Sequence, residues 1–326
     1  MRYELEQFSP ATVRAAADRI APLVERTPLI RLDHDGPIEI WLKLENLQPI
    51  RSFKIRGAAN AMLAAGAAEL EKGVWAASAG NMGQGVAYCA RELEVPGIIV
   101  VPEGAPATKT RAIQRFGATT VEAPFRDWFE IYETREYPGM AGHFIHAFSD
   151  PDVMAGNATI GLEIVEDLPQ FDAVVIPYGG GGLSCGIAAL LRQLQPGVAV
   201  YAAEVSTAAP LAAAFAAGKP VAIEHRRTFI DGIGGPVLFA EMWDFAARVL
   251  DGALVSSVDE IRRAIRHLAT RNAMVAEGAG AAGVAAAMAG RVTTAAGEPA
   301  RRVVCVVSGG NIDRAVLADI LQETEE

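Results

Sequence analysis

The sequence predicts an α/β protein built from two open, twisted parallel sheets with a ligand cleft between them. Three observations predict it. Strand-like and helix-like patterns alternate through most of the chain, which calls for parallel sheets covered by helices on both faces. Residues 173–178 (Ala-Val-Val-Ile-Pro-Tyr) form a continuous apolar run of the kind buried on both faces. Three loops rich in Gly, Ser and Asn each follow a predicted strand and open a predicted helix, where ligands bind in such folds.

Taken in order, Ser9-Pro10 is an N-cap followed by proline at the first helical position, and the helix is predicted to reach about Arg26. Thr27-Pro28-Leu29 breaks it. Residues 38–44 alternate apolar and polar as a strand. An alanine-rich helix is predicted from Lys54 toward Gly73. Strands at 74–78, 97–102 and 119–123 then alternate with helices at 82–93, 107–116 and from near Asp127, and a short strand is predicted at 144–148. A helix at 159–168 leads into the apolar strand 173–178, and helix 183–194 and strand 198–205 follow. Helices from Ala208 and Glu241, strand 253–258 and helix 259–271 come next. A Gly/Ala stretch at 278–290 reads as a tightly packed core helix, and strand 302–307 precedes a terminal helix.

Hydrophobic residues make up 51% of the 326 and charged residues 21%, as in a chain with a large core. A net charge of −10 argues against nucleic acid or an anionic membrane as partner. Cys89, Cys185 and Cys305 lie far apart, so neither a metal motif nor disulfides are expected. The N-terminus lacks the apolar core of a signal peptide, and 278–290 is too short to span a bilayer. A cytoplasmic protein is expected.

The chemistry centres on Ser52-Phe53-Lys54-Ile55-Arg56-Gly57. Burial, with the charges of Arg51 and Arg56 nearby, would disfavour a protonated Lys54, and a neutral lysine amine attacks carbonyls. On this stretch alone a surface lysine at a helix start is the favoured reading, and the glycine-rich loops elsewhere shift it. Gly179, Gly180, Gly181 and Gly182 follow the buried strand and open a helix, so their amides suit a phosphate better than a plain turn requires. Neither a Walker loop nor a dinucleotide fingerprint is present. Ser78-Ala79-Gly80-Asn81-Met82 would suit a carboxylate and a ring hydroxyl, or serve only as cap and turn. Ser308-Gly309-Gly310-Asn311 could bond a ring nitrogen without placing charge beside it. Together these features point to pyridoxal phosphate acting on an amino acid.

At this point the chain resembles the fold-type II pyridoxal-phosphate enzymes, of tryptophan synthase β-like architecture. It looks most like the threonine/serine dehydratases (ammonia-lyases) and their relative serine racemase. The likeness lies in residues 43–48, 52–58, 78–81 and 150–156, the tetraglycine, Ala203-Glu204, 275–277 and the Ser308 loop. It implies pyridoxal 5'-phosphate held by Lys54, which would also take the Cα proton. Phe53 would flank the ring and Asn81 would bond its hydroxyl. Gly179 to Gly182 and Leu183 would bind the phosphate, and Ser308 with Gly309 would face the pyridine nitrogen. Amides at Ser78, Ala79, Gly80, Asn81 and Met82 would hold the substrate carboxylate. The implied reaction eliminates water from a β-hydroxy amino acid of the L-threonine or L-serine type, giving a 2-oxo acid and ammonia.

Several residues depart from the pattern. Ala79 stands where racemases carry a serine that transfers a proton, which favours dehydratase over racemase. Glu204 is a possible cation ligand, but Pro210 falls near where a second acidic ligand would lie, and Glu204 could instead pair with a basic neighbour. Met82 replaces a common histidine, and Gly278 follows Glu277 where proline is usual. Phe125, Trp128 and Tyr132 share a helical face and read as core rather than lid. A phenylserine or hydroxyaspartate type of substrate, a racemase, a β-replacement enzyme and a non-catalytic cofactor-binding protein remain alternatives.

The predicted domains are 1–72 with 148–326, holding the cofactor, and 73–147, inserted between them. A homodimer or homotetramer is expected. The chain's end soon after Ser308 suggests an enzyme without the regulatory domain of biosynthetic threonine dehydratases.

Overall fold

The alternating pattern folds into two sheets in the computed structural model, which describes residues 2–323. The first elements are α1 (Pro10–Ile20), β1 (Leu29–Arg31), β2 (Glu39–Leu44), α2 (Lys54–Ala65) and α3 (Ala67–Leu70). Then come β3 (Val74–Ala77), α4 (Asn81–Glu92), β4 (Gly97–Pro102), α5 (Ala107–Gln114), β5 (Thr119–Ala123), α6 (Phe125–Thr134) and β6 (His143–Phe144). The chain continues with α7 (Pro151–Asp167), β7 (Ala173–Pro177), α8 (Gly182–Leu194), β8 (Ala199–Val205), α9 (Pro210–Ala217) and α10 (Ala240–Val249). It closes with β9 (Gly252–Ser256), α11 (Val258–Arg271), α12 (Gly278–Met288), β10 (Arg302–Val307) and α13 (Arg314–Gln322).

The larger sheet has the order β1-β2-β10-β7-β8-β9, and the smaller β5-β4-β3-β6. All neighbours are parallel except β1 and β2, which run antiparallel with Leu29 opposite Lys43. β1 was not anticipated: the Pro28 break that ends the first helical region leads directly into an edge strand. Pairing of β2 with β10 sets Leu44 beside Val307, so the segments leaving both strands run together. An isolated bridge between Ser52 and Gly309 continues that contact. This register brings the lysine segment to the Ser308 loop across some 250 residues of sequence.

Other boundaries moved for local reasons. The first helix stops at Ile20 rather than near Arg26. The lysine helix ends at Ala65 because Gly66 takes φ +79°, and α3 restarts beyond it. β6 has two residues, not five. α7 begins at Pro151 rather than 159, since Asp150 Oδ1 accepts the amides of Asp152 and Val153. This is the same cap-then-proline signal that Ser9-Pro10 carries.

Glycines let α2 pack backbone to backbone on α7. A Cβ on Gly156 would come 2.4 Å from the Arg56 carbonyl oxygen, and one on Gly57 would strike Val153 and Asn157. Behind this contact Arg56 is buried, donating to Glu45 through Nε (2.8 Å) and to Glu163 through Nη1 (2.6 Å). Lys43, fully buried, joins it by pairing with Glu163 at 2.5 Å and donating to the Thr27 carbonyl. The guanidinium fork thus ties the lysine helix to the end of β2 and to α7.

Cys89 on α4, Cys185 on α8 and Cys305 on β10 are buried free thiols, and burial pushes all three well above the ordinary thiol range. Among the described residues no helix is long and apolar enough to cross a membrane.

Candidate active site

The predicted loops converge on one cavity of about 340 Å³. It is lined by Phe53, Lys54, Ser78, Ala79, Gly80, Asn81, Met82, the four glycines, Leu183 and Ser308. Gly309 is not on its surface; its carbonyl accepts the Glu277 amide behind Ser308. The space is of a size that holds a cofactor-class ligand.

Lys54 is the first residue of α2. Its Nζ donates to the Ala147 carbonyl at 2.6 Å and lies 5.1 Å from the Phe53 ring centroid. Burial lowers its pKa from the ordinary 10.5 to about 8. The cause expected from the sequence is corrected in one respect. Arg56 is turned away into its carboxylates and Arg51 is exposed, so burial, not neighbouring charge, depresses the amine.

Two helix N-termini open on the cavity. Among the described residues no protein group accepts the amides from Gly179 to Ser184, at the start of α8, or those of Asn81, Met82 and Gly83, at the start of α4. Free amides at helix starts favour anions. The glycines are demanded by space as well: a Cβ on Gly180 would sit 2.2 Å from the Phe148 ring, and one on Gly182 2.6 Å from the Phe148 carbonyl oxygen. Gly181 also takes φ +92°. A cradle of unpaired amides, a half-buried lysine whose amine reaches the cavity and the neutral Ser308 hydroxyl fit pyridoxal phosphate. Ser308, 2% exposed, has no side-chain hydrogen bond among the described residues.

The Asn81 side chain is held on two sides. Its Nδ2 donates to Glu277 Oε1 at 2.8 Å, and its Oδ1 accepts from Asn311 Nδ2 at 2.8 Å. Glu277 Oε2 also accepts the Asn311 amide at 3.1 Å. Burial first, and then Asp231, push the Glu277 carboxyl up to about 7.

The wall opposite comes from α6 and the turn after β6. Trp128 and Tyr132 line the cavity and donate to the carbonyls of Val100 and Ala77, while Phe125 is exposed. The expected core face of α6 is therefore also cavity wall. His146 shapes the turn that carries Ala147. Its Nδ1 accepts the amides of Phe148 and Ser149, which leaves Nε2 to donate to the Tyr132 carbonyl at 3.1 Å. Burial holds this imidazole neutral, near 3. Lys109 on α5 pairs with Asp231 at the cavity edge.

Glu204 lies outside the cavity. Its oxygens accept the amides of Leu211 and Ala212 at 3.0 and 2.8 Å, capping the start of α9, so its partners are amides rather than the basic neighbour envisaged. Among the described residues no group of three or more His, Cys, Asp or Glu is arranged to hold a metal.

Sequence reading missed Glu277 as a site residue, and also Asn311's grip on Asn81 and His146. The first two sit at loop positions already singled out. Nothing local marks His146, whose role depends on a turn about 90 residues downstream of Lys54.

The chain is similar to several known proteins over most of its length. An L-threonine ammonia-lyase from Geobacter sulfurreducens is 37% identical over 317 residues, covering 95% of this chain and 77% of the relative. The catabolic L-threonine dehydratase TdcB of Escherichia coli K12 is 38% identical, with 94% and 93% covered. Among solved structures, maize serine racemase superposes with a TM-score of 0.86 at 29% identity, covering 95% of each chain. A threonine deaminase from T.th. gives 0.84 at 33%, covering 94% and 99%. The model of the family described as pyridoxal-phosphate dependent enzyme matches residues 20–309, and the chain belongs to that family.

Proposed function

We propose that this protein is a pyridoxal-phosphate-dependent ammonia-lyase that removes water from a small β-hydroxy amino acid of the L-threonine or L-serine type, releasing a 2-oxo acid and ammonia. The observation that carries it is the Lys54 amine, lowered to about 8 by burial, in a cavity walled by two helix N-termini. Threonine ammonia-lyases and dehydratases match this chain over nearly its whole length.

Bound pyridoxal phosphate would supply an electron sink for the charge left at Cα. The amides from Gly179 to Leu183 would hold its phosphate, Lys54 its carbonyl carbon, and Phe53 its ring face. Asn81 would meet the ring hydroxyl. Ser308, with Gly309 behind it, would offer the pyridine nitrogen a hydroxyl rather than a charge. The α4 amides would hold the substrate carboxylate, with Ser78, Ala79 and Gly80 shaping the turn before them. Lys54 would remove the Cα proton: an amine with a pKa near 8 keeps a neutral fraction close to physiological pH, and that fraction can accept it. Ala79 lines the cavity and has no group to return a proton, which supports elimination over inversion.

Residues 73–147 form a small domain inserted in one made of 1–72 and 148–326, a division supported by the four strands of the smaller sheet falling between 74 and 144. A homodimer or homotetramer in the cytoplasm belongs to the same reading. Incubation of the cofactor-loaded protein with L-threonine and L-serine tests it. Appearance of 2-oxo acid and ammonia in equal amounts is expected; a D-isomer alone, or no turnover, would sink it.

A further inference from the structure

We infer that Glu277 is a positioning residue: its carboxylate fixes the Asn81 side-chain amide so that an N–H, not the oxygen, is presented to the cofactor ring. This rests on the pyridoxal-phosphate reading of the cavity and adds a residue that the reading did not contain.

The orientation follows from hydrogen-bond chemistry. The Asn81 atom 2.8 Å from Glu277 Oε1 is the amide nitrogen, because its oxygen is already taken by Asn311 Nδ2 and ionised Glu277 has no proton to give. Its oxygen then faces Asn311 Nδ2, which must be a donor because the same nitrogen also meets the Ile50 carbonyl at 2.9 Å. The Ile50 carbonyl, an acceptor that cannot reverse, thus sets the Asn311 amide and through it Asn81, and ionised Glu277 holds the Asn81 N–H in place. Asn81 keeps one N–H without a protein partner, and the cavity is lined by Asn81, Glu277 and Asn311 together. A donor at this position stabilises a ring oxyanion, whereas a flipped amide would repel it.

The Ser308 loop is shaped around the same carboxylate. The Glu277 amide donates to the Gly309 carbonyl at 2.9 Å, and a Cβ on Gly309 would fall 2.5 Å from Glu277 Oε1. Glycine at 309 therefore makes room for Glu277. Although Glu277 stands at the N-cap of α12, its side chain makes no capping bond, so its reach toward Asn81 and Asn311 is not explained by holding the helix.

A double-mutant cycle on cofactor affinity tests the proposal. Pyridoxal phosphate is titrated into cofactor-free protein and followed by visible absorbance, for the unmodified chain, Glu277→Ala, Asn81→Ala and the double variant. Each single change should weaken affinity by roughly tenfold and shift the absorbance band in the same direction. The double variant should be no weaker than the worse single, because Glu277 acts through Asn81. Glu277→Gln keeps the volume but places a second donor against the Asn311 or Asn81 N–H, and should lose affinity as well. Losses that multiply in the double variant, or unmodified affinity in both Glu277 variants, would overturn the inference. Failure of the unmodified protein to bind pyridoxal phosphate would overturn the functional reading and this inference with it.

Discussion

The amine of Lys54 donates to the carbonyl oxygen of Ala147 at 2.6 Å, with no carboxylate among the groups that set its pKa. A lysine held this way has its charge opposed by burial and unsupported by any counter-ion. Cofactor-free protein should therefore capture pyridoxal phosphate faster as pH rises, by about tenfold per unit, and level off near 8. Stopped-flow absorbance checks this. A plateau delayed to the ordinary lysine value of 10.5 would mean that the amine is exposed in solution. Lys54→Ala should abolish both capture and turnover.

Ala79 occupies the cavity wall without a dissociable proton. Ala79→Ser should keep 2-oxo acid release and raise racemisation of L-serine by about a hundredfold, the scale of a placed acid or base. Chiral chromatography of the residual substrate measures it. Efficient racemisation by the unmodified protein would refute the role given to Ala79.

Arg56 stands between two carboxylates, Glu45 and Glu163, and is 1% exposed. Arg56→Met leaves buried Glu45 without its ion-pair partner and Glu163 with Lys43 alone, and should cost about 3–5 kcal/mol, read from denaturant unfolding. Arg56→Lys should recover only part of that, since an ammonium cannot fork to both.

Glu204 gives both oxygens to backbone amides, so chelators should leave turnover unchanged. Activity lost to a chelator and restored by a divalent cation would contradict this. Glu204 and Glu277 are both raised from 4.5 to about 7. Across that window the folded protein holds two protons that the unfolded chain has released, so the contribution of these two groups to stability falls as pH rises from 4.5 to 7, opposed up to 6.5 by buried neutral His146 and by His34. In thermal unfolding against pH, Glu204→Gln should remove one declining contribution, so that its stability relative to the unmodified protein rises from pH 4.5 to 7.

What the sequence makes legible is what glycine and proline encode locally. The tetraglycine, the Asn81 loop and the Ser308 loop can be read because each sits between a strand and a helix. Their convergence on one cavity required pairing of β2 with β10, which no local pattern states. The same limit explains the misattributed charges. Arg56 lies two residues from Lys54, yet about half a helical turn directs it to Glu163, more than a hundred positions away. Glu277, Asn311 and His146 act through partners 14 to 230 residues distant or through turn amides, so residue type alone could not assign them. The late start given to α7 was avoidable, since Asp150-Pro151 carries a readable cap.

The three thiols make the protein a reporter of its own breathing. Cys89 and Cys185 sit in one core cluster and Cys305 in another, each sealed from solvent. A thiol-labelling reagent can reach them only when the surrounding element opens, so each labelling rate measures the free energy of that local opening. Without any engineered probe, α4 of the smaller sheet can be timed against α8 and β10 of the larger.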